Sequence, residues 1–157
     1  MSAEWQAYEE RLKVKVRGLR MKADSILKKM FVLGALLDGL ISASWFLIAA
    51  GWGIPNILNG YTGSGADYRL AMYVAAMFMA GWTVLLAWGS LKPLERRGLL
   101  LITAVFLLLS VIVEFVLYRH MLGGPVLAFG VTKRLVLTTL FTMAYFYSCG
   151  QAGECFS

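Results

Sequence analysis

Two carboxylates stand alone inside long apolar runs, Asp38 in LGALLDGLISAS and Glu114 in LLSVIVEFVLY. In water neither would attract notice. In hydrocarbon an aspartate near the middle of a helix costs about 2.5–3.5 kcal/mol, and a cation, a bound proton or water has to offset it. Acids so placed mark ion pathways and proton relays, or hold helices and subunits together through hydrogen bonds. At 1.5 Å per residue, Asp38 lies about 10 Å beyond the start of its run. Ser42, one turn further on, is a neutral partner for it. Glu114 has cations within reach, because Lys133 and Arg134 open the next apolar run. A Glu114–Arg134 or Glu114–Lys133 ion pair would hold two helices in register, and losing one partner of such a buried pair costs about 3–5 kcal/mol.

Other chemistry finds little footing. His120 is the only histidine, too few for a bis-histidyl haem or a zinc site, so no metal or other cofactor is expected. Cys149 and Cys155 have five residues between them, unlike the two-residue spacing of a redox pair. They are expected as free thiols, or as a small disulfide if the tail lies on the oxidising side. No phosphate-binding glycine loop and no nucleophile–histidine–acid set is present, so nothing in the sequence supports an enzyme.

The elements that must position the two acids follow from composition. Of 157 residues 59% are hydrophobic and only 15% charged, against roughly a quarter charged in soluble domains. The apolar residues gather into runs that reach the roughly 20 residues needed to cross a bilayer. The expected fold is all-α, a polytopic antiparallel bundle of four transmembrane helices at about 31–52, 68–91, 98–118 and 133–148. The bundle as a whole covers 30–149, and 150–157 form a short tail. Gly51, Gly53, Pro55 and Asn56 end the first span, and Asp67 is placed to cap the second. The connector Lys92-Pro93-Leu94-Glu95-Arg96-Arg97 is short, with Pro93 suited to a first helical turn and Glu95 to the positive end of its dipole. Gly123-Gly124-Pro125 reads as a turn, followed by an apolar loop segment at 126–129.

Residues 1–29 read as a separate amphipathic basic helix. Trp5, Tyr8, Leu12, Val16, Leu19, Ala23, Ile26 and Met30 recur at steps of three and four, with Lys13, Arg17, Arg20, Lys22 and Lys28 on other faces. Such a helix suits the bilayer surface and anionic headgroups, or the protein's own cytoplasmic face. A net charge of +6 without stacking aromatics or a recognition helix excludes nucleic acid as the expected partner. Eleven basic residues lie in the N-terminal segment and second connector, against four (Arg69, Arg119, Lys133, Arg134) on the other side. That bias places both termini in the cytoplasm and the protein in the plasma (inner) membrane, although the basic residues near the third connector run against it.

Each span also carries a stripe of polar and small residues at helical spacing: Gly34, Asp38, Ser42, Trp45 and Ala49; Tyr73, Ala76, Ala80, Thr83, Ala87 and Ser90; Thr103, Ser110, Glu114 and Tyr118; Arg134, Thr138, Thr142, Tyr145 and Cys149. Turned inward, these stripes form a seam able to bind or move a small cation, proton or amphiphile, with Trp45, Trp82 and Thr83 lining it. They equally suit packing alone, or assembly of a non-catalytic subunit or adaptor as a homo-oligomer or with a membrane partner. The stretch Trp82-Thr83-Val84-Leu85-Leu86-Ala87-Trp88 followed by Lys92-Pro93-Leu94-Glu95-Arg96-Arg97-Gly98 resembles uncharacterised small microbial four-span integral membrane proteins. That resemblance implies the fold and carries no function.

Overall fold

A computed structural model describes residues 3–58, 60–117, 119–120 and 124–152. They form four α-helices: α1 (Ala3–Ala49), α2 (Ala66–Gly89), α3 (Gly98–Leu117) and α4 (Gly124–Ala152). All four are long and apolar enough to cross a membrane, and the chain is an integral membrane protein. Large apolar side chains such as Leu36, Phe78, Val105, Phe106 and Met143 stand exposed around the outside. A soluble chain seldom exposes so much apolar surface in one continuous belt; acyl chains are its natural solvent.

The longest helix departs from expectation. No break separates residues 3–29 from the first span, and α1 runs on through residue 30 for 47 residues. The physical reason is the absence of a stop signal. Between Ala3 and Ala49 there is no proline, and single glycines at 18, 34 and 39 each cost a helix only about 1 kcal/mol. The stop comes at Gly51, whose φ of 96° lets the Gly51 amide donate to Ile48 and the Trp52 amide to Leu47. This paired closure satisfies the last carbonyls of the helix.

α4 is longer than expected too. Gly124, Pro125 and the following apolar residues, read as a turn and loop, are its first turns. Proline lacks only an N–H that the first helical turn has no use for, so Pro125 opens this helix rather than blocking one. Pro93 shows the reverse: it stays in the turn between α2 and α3, and α3 starts at Gly98. Asp67 lies in the first turn of α2, one residue inside, and Gly65 occupies the cap position.

Helix pairing is set by close contacts. Along α1 and α2, Ala49 meets Arg69, Ser42 meets Ala76, Gly39 meets Thr83 and Phe31 meets Gly89. Numbers fall along one helix as they rise along the other, so these two run in opposite senses. The main core joins all four helices through Leu27, Phe31, Leu86, Leu100, Ala104, Phe141 and Ala144. A second cluster, Trp45, Ile48 and Ala76, lies at the other end of the α1–α2 pair.

Gly89 sets the closest approach. A Cβ there would overlap the ring of the fully buried Phe31. Gly89→Val should therefore lower the thermal unfolding midpoint in detergent, consistent with the 1–3 kcal/mol typical of overpacking. Gly81→Ala, where no atom lies within 4 Å, is the control and should leave the midpoint unchanged or raise it.

Candidate functional site in the membrane interior

The densest polar contacts join α3 and α4. Glu114 and Arg134 form an ion pair at 2.5 Å, with side chains only 9% and 4% exposed. Arg134 also donates through Nη1 to Ser110 Oγ at 3.3 Å, and the Ser110 hydroxyl donates to the Leu107 carbonyl. Ser110 and Glu114 are one turn apart on α3, so one guanidinium reaches both. Lys133, the other cation considered for Glu114, points elsewhere. Adjacent residues on a helix are about 100° apart, so only one of the two can face α3. Lys133 donates to the Ile57 carbonyl at 2.8 Å and lies 4.0 Å from the Phe129 ring, tying α4 to the α1–α2 loop.

Two buried polar atoms beside the pair, Arg134 Nε and Thr138 Oγ1, have no hydrogen-bond partner among the described residues. In hydrocarbon such an atom costs on the order of 1–3 kcal/mol unless water or a ligand meets it.

Asp38 is half-buried on α1, with no hydrogen bond or ion pair to any described residue. Ser42, its expected local partner, donates instead to the Ala76 carbonyl across the α1–α2 contact at 2.9 Å. Gly34 abuts Phe141 of α4. Stepping four residues along α1 and three back along α4 moves about 5 Å the same way from that contact, which brings Asp38 and Thr138 to one level.

The remaining seam residues use their polar atoms within the protein. The Trp45 indole donates to Asn56 Oδ1 at 2.9 Å, Trp82 donates to Thr103 Oγ1 at 3.3 Å across α2 and α3, and Thr83 donates back to the Met79 carbonyl at 2.8 Å. Trp45 and Trp82 are thus fastened into helix contacts. Tyr73 and Ala87, placed on an inward stripe by spacing, are exposed. Tyr118, Gly123 and Cys155 lie outside the described residues, while Cys149 is buried as a free thiol and His120 is exposed. Among the described residues no group of three His, Cys, Asp or Glu side chains is placed to hold a metal.

Sequence reasoning treated Asn56 only as a helix breaker, yet it anchors the loop after α1. Its Oδ1 accepts from both Trp45 Nε1 and the Leu58 amide, and its backbone pairs with Tyr61 and Gly60. The available signal was an asparagine between Ile54 and Ile57-Leu58, a polar group in an apolar loop. Two surface grooves complete the picture. One of about 560 Å³ lies beside Phe46, Arg69 and Tyr73, and one of about 430 Å³ lies beside Lys28, Lys29 and Leu36. Asp38 lines neither. Outside the spans, Arg96 lies over the Trp88 ring and donates to that residue's carbonyl, and Lys92 pairs with Glu95 at 3.1 Å.

Compared with protein families, curated proteins and solved structures, the chain matches none.

The pair and the loop anchor each give a stability test. Glu114→Gln or Arg134→Met alone should each cost about 3–5 kcal/mol, because a buried charge is stranded. The double variant should lose much less than the two losses added together, a coupling read from detergent unfolding of all four proteins. Asn56→Ala should cost about 1–3 kcal/mol by leaving the Trp45 indole N–H and the Leu58 amide unpaired. Its second readout is a shifted tryptophan emission maximum.

Proposed function

We propose that this protein binds a small cation or proton at Asp38 and passes it along the polar interior between α1 and α4. The observation that carries the reading is the condition of that carboxyl group. It sits about 10 Å inside an apolar span, and no described residue offers it a hydrogen bond or a charge. An acid left so by its own chain is completed by what it binds, and a proton or monovalent cation is the smallest group able to do so. Thr138 at the same level supplies an unused hydroxyl, and Arg134 and Glu114 continue the polar path toward the far end of the bundle. On this reading the basic bias of the N-terminal segment and second connector keeps both termini in the cytoplasm, with the protein in the plasma (inner) membrane.

A second reading draws on the partial exposure of Asp38 in the single chain. A half-exposed acid flanked by Ala35 and Gly39 suits contact with another membrane helix, so that the protein acts as a non-catalytic subunit or adaptor.

The two readings separate on one substitution. Under the transport reading, Asp38→Asn in reconstituted vesicles abolishes pH-driven proton or sodium flux while the melting temperature and oligomer size are unchanged. Undiminished flux, or no flux above empty vesicles for the unaltered protein, removes that reading. Under the subunit reading, the same change shifts the oligomer size in mild detergent.

A further inference from the structure

The first half of α1 presents a face that the described residues leave largely uncovered. From Ala23 inward, that helix buries Ala23, Leu27, Phe31, Gly34, Ser42, Trp45 and Ile48 against the bundle. Stepping outward from Ala23 by four, three and four residues gives Leu19, Val16 and Leu12, which continue the same side of the helix. Leu12 is 43% exposed and Val16 55%, while Leu19, nearest the bundle, is half-buried. The contact stripe therefore outruns the chain that fills it.

The place of this stripe is fixed by α1 being continuous. A helix of 47 residues is about 70 Å long, while the hydrocarbon core is about 30 Å thick. Leu27 and Phe31 belong to the core cluster against which Leu94 and Leu99, of the α2–α3 connector and start of α3, also pack, and Phe31 meets Gly89 at the end of α2, so they mark one end of the bundle. Residues 3–22 thus extend about 30 Å past that end along the direction of the span. With headgroups at the level of that end and the helix upright, most of the arm lies more than a Debye length of about 8 Å from them, too far for the bilayer surface to be its natural cover.

Charge identifies the cover. Residues 11–29 hold eight basic side chains against one acid, Asp24. At 100° per residue, Lys15 and Lys22 border the Leu12–Val16–Leu19 stripe on one side, and Lys13 and Arg20 border it on the other. Lys13 has Glu9 as an exposed neighbour at 4.0 Å; the other three border cations have no acidic partner among the described residues. A second copy in the same membrane would lie parallel, bringing Lys15 of one arm against Arg20 of the other in the flanking positions of a coiled coil, a repulsive arrangement. An apolar seam between two basic rails instead matches a helix with an apolar seam between two acidic rails.

We infer that the projecting N-terminal half of α1 is a docking surface for an acidic amphipathic helix of a different protein, seated on Leu12, Val16 and Leu19 and flanked by Lys15, Lys22 and Arg20. The inference does not rest on the proposed ion pathway, since none of the docking residues enters the bundle.

The test uses the full-length protein in zwitterionic nanodiscs. The probe is a labelled synthetic peptide of about three heptads, with leucine at a and d and glutamate at e and g. Binding is read by fluorescence anisotropy, beside a scrambled peptide of identical composition. The patterned peptide should bind at least about tenfold more tightly than the scrambled one. Leu12→Ser/Val16→Ser should abolish that preference, and Lys15→Glu/Arg20→Glu should weaken the patterned peptide by a similar factor. Both pairs of changes lie on the exposed arm, so an unchanged melting temperature serves as the folding control. Equal binding of the two peptides, or indifference to the Leu12/Val16 change, overturns the proposal. So does displacement of the peptide by duplex DNA with the same dependence on Leu12 and Val16, which would assign the stripe to nucleic acid. Efficient cross-linking of Val16→Cys between copies would assign it to self-association. Loss of peptide binding on moving to anionic nanodiscs would assign it to the lipid surface.

Discussion

In hydrocarbon, a polar atom without a partner is more expensive than any single apolar contact is favourable, and the interior of this protein is arranged around that asymmetry. The Arg134 guanidinium is the largest such group in the bundle. It is met by Glu114 and Ser110, both on one face of α3, and the rest of the α3–α4 contact follows from keeping those partners opposite one another. The same constraint operates between α1 and α2, where the Ser42 hydroxyl meets the Ala76 carbonyl and the Trp45 indole meets Asn56. Apolar packing fills the space between these fixed points, and the close approach of Phe31 to Gly89 adds a fixed point of its own.

Against that background Asp38 differs in kind. It has no hydrogen bond or ion pair to any described residue, and the Thr138 hydroxyl, which helix steps from the Gly34–Phe141 contact put at a similar level, has no hydrogen-bond partner among them either. The two unmatched groups are therefore neighbours in depth, on helices that touch at Gly34 and Phe141.

Four helices were legible in the sequence because length and hydrophobicity are local properties, and an apolar run able to cross a bilayer has few other fates. Boundaries were less legible where a helix outlasts its apolar run. The span ends at 52 and 91 were set too late by two or three residues, and α1 and α4 start well before their expected spans because charge and proline do not stop a helix at those places. Among site residues, the Glu114 partner was narrowed to two adjacent cations. The choice between Lys133 and Arg134 depends on helix rotation, which depends in turn on distant packing. Spacing put Tyr73 and Ala87 on inward stripes, but a stripe says which residues share a face and not where that face points. Asn56 was missed for a related reason: its partner Trp45 is eleven residues away across a turn, and nothing in their types announces the pair.

The uninterrupted course of α1 has a mechanical consequence. A helix without a joint passes much of a sideways push at its tip on into the bundle instead of absorbing it at a hinge. Phe31, wedged against Gly89, is the natural fulcrum. From there the outer end at Ala3 is about 42 Å away and Asp38 about 10 Å. A load applied to the tip would thus reach the carboxyl group at roughly a quarter of its amplitude and in the opposite direction, coupling events outside the bilayer to the one acid left unmatched within it.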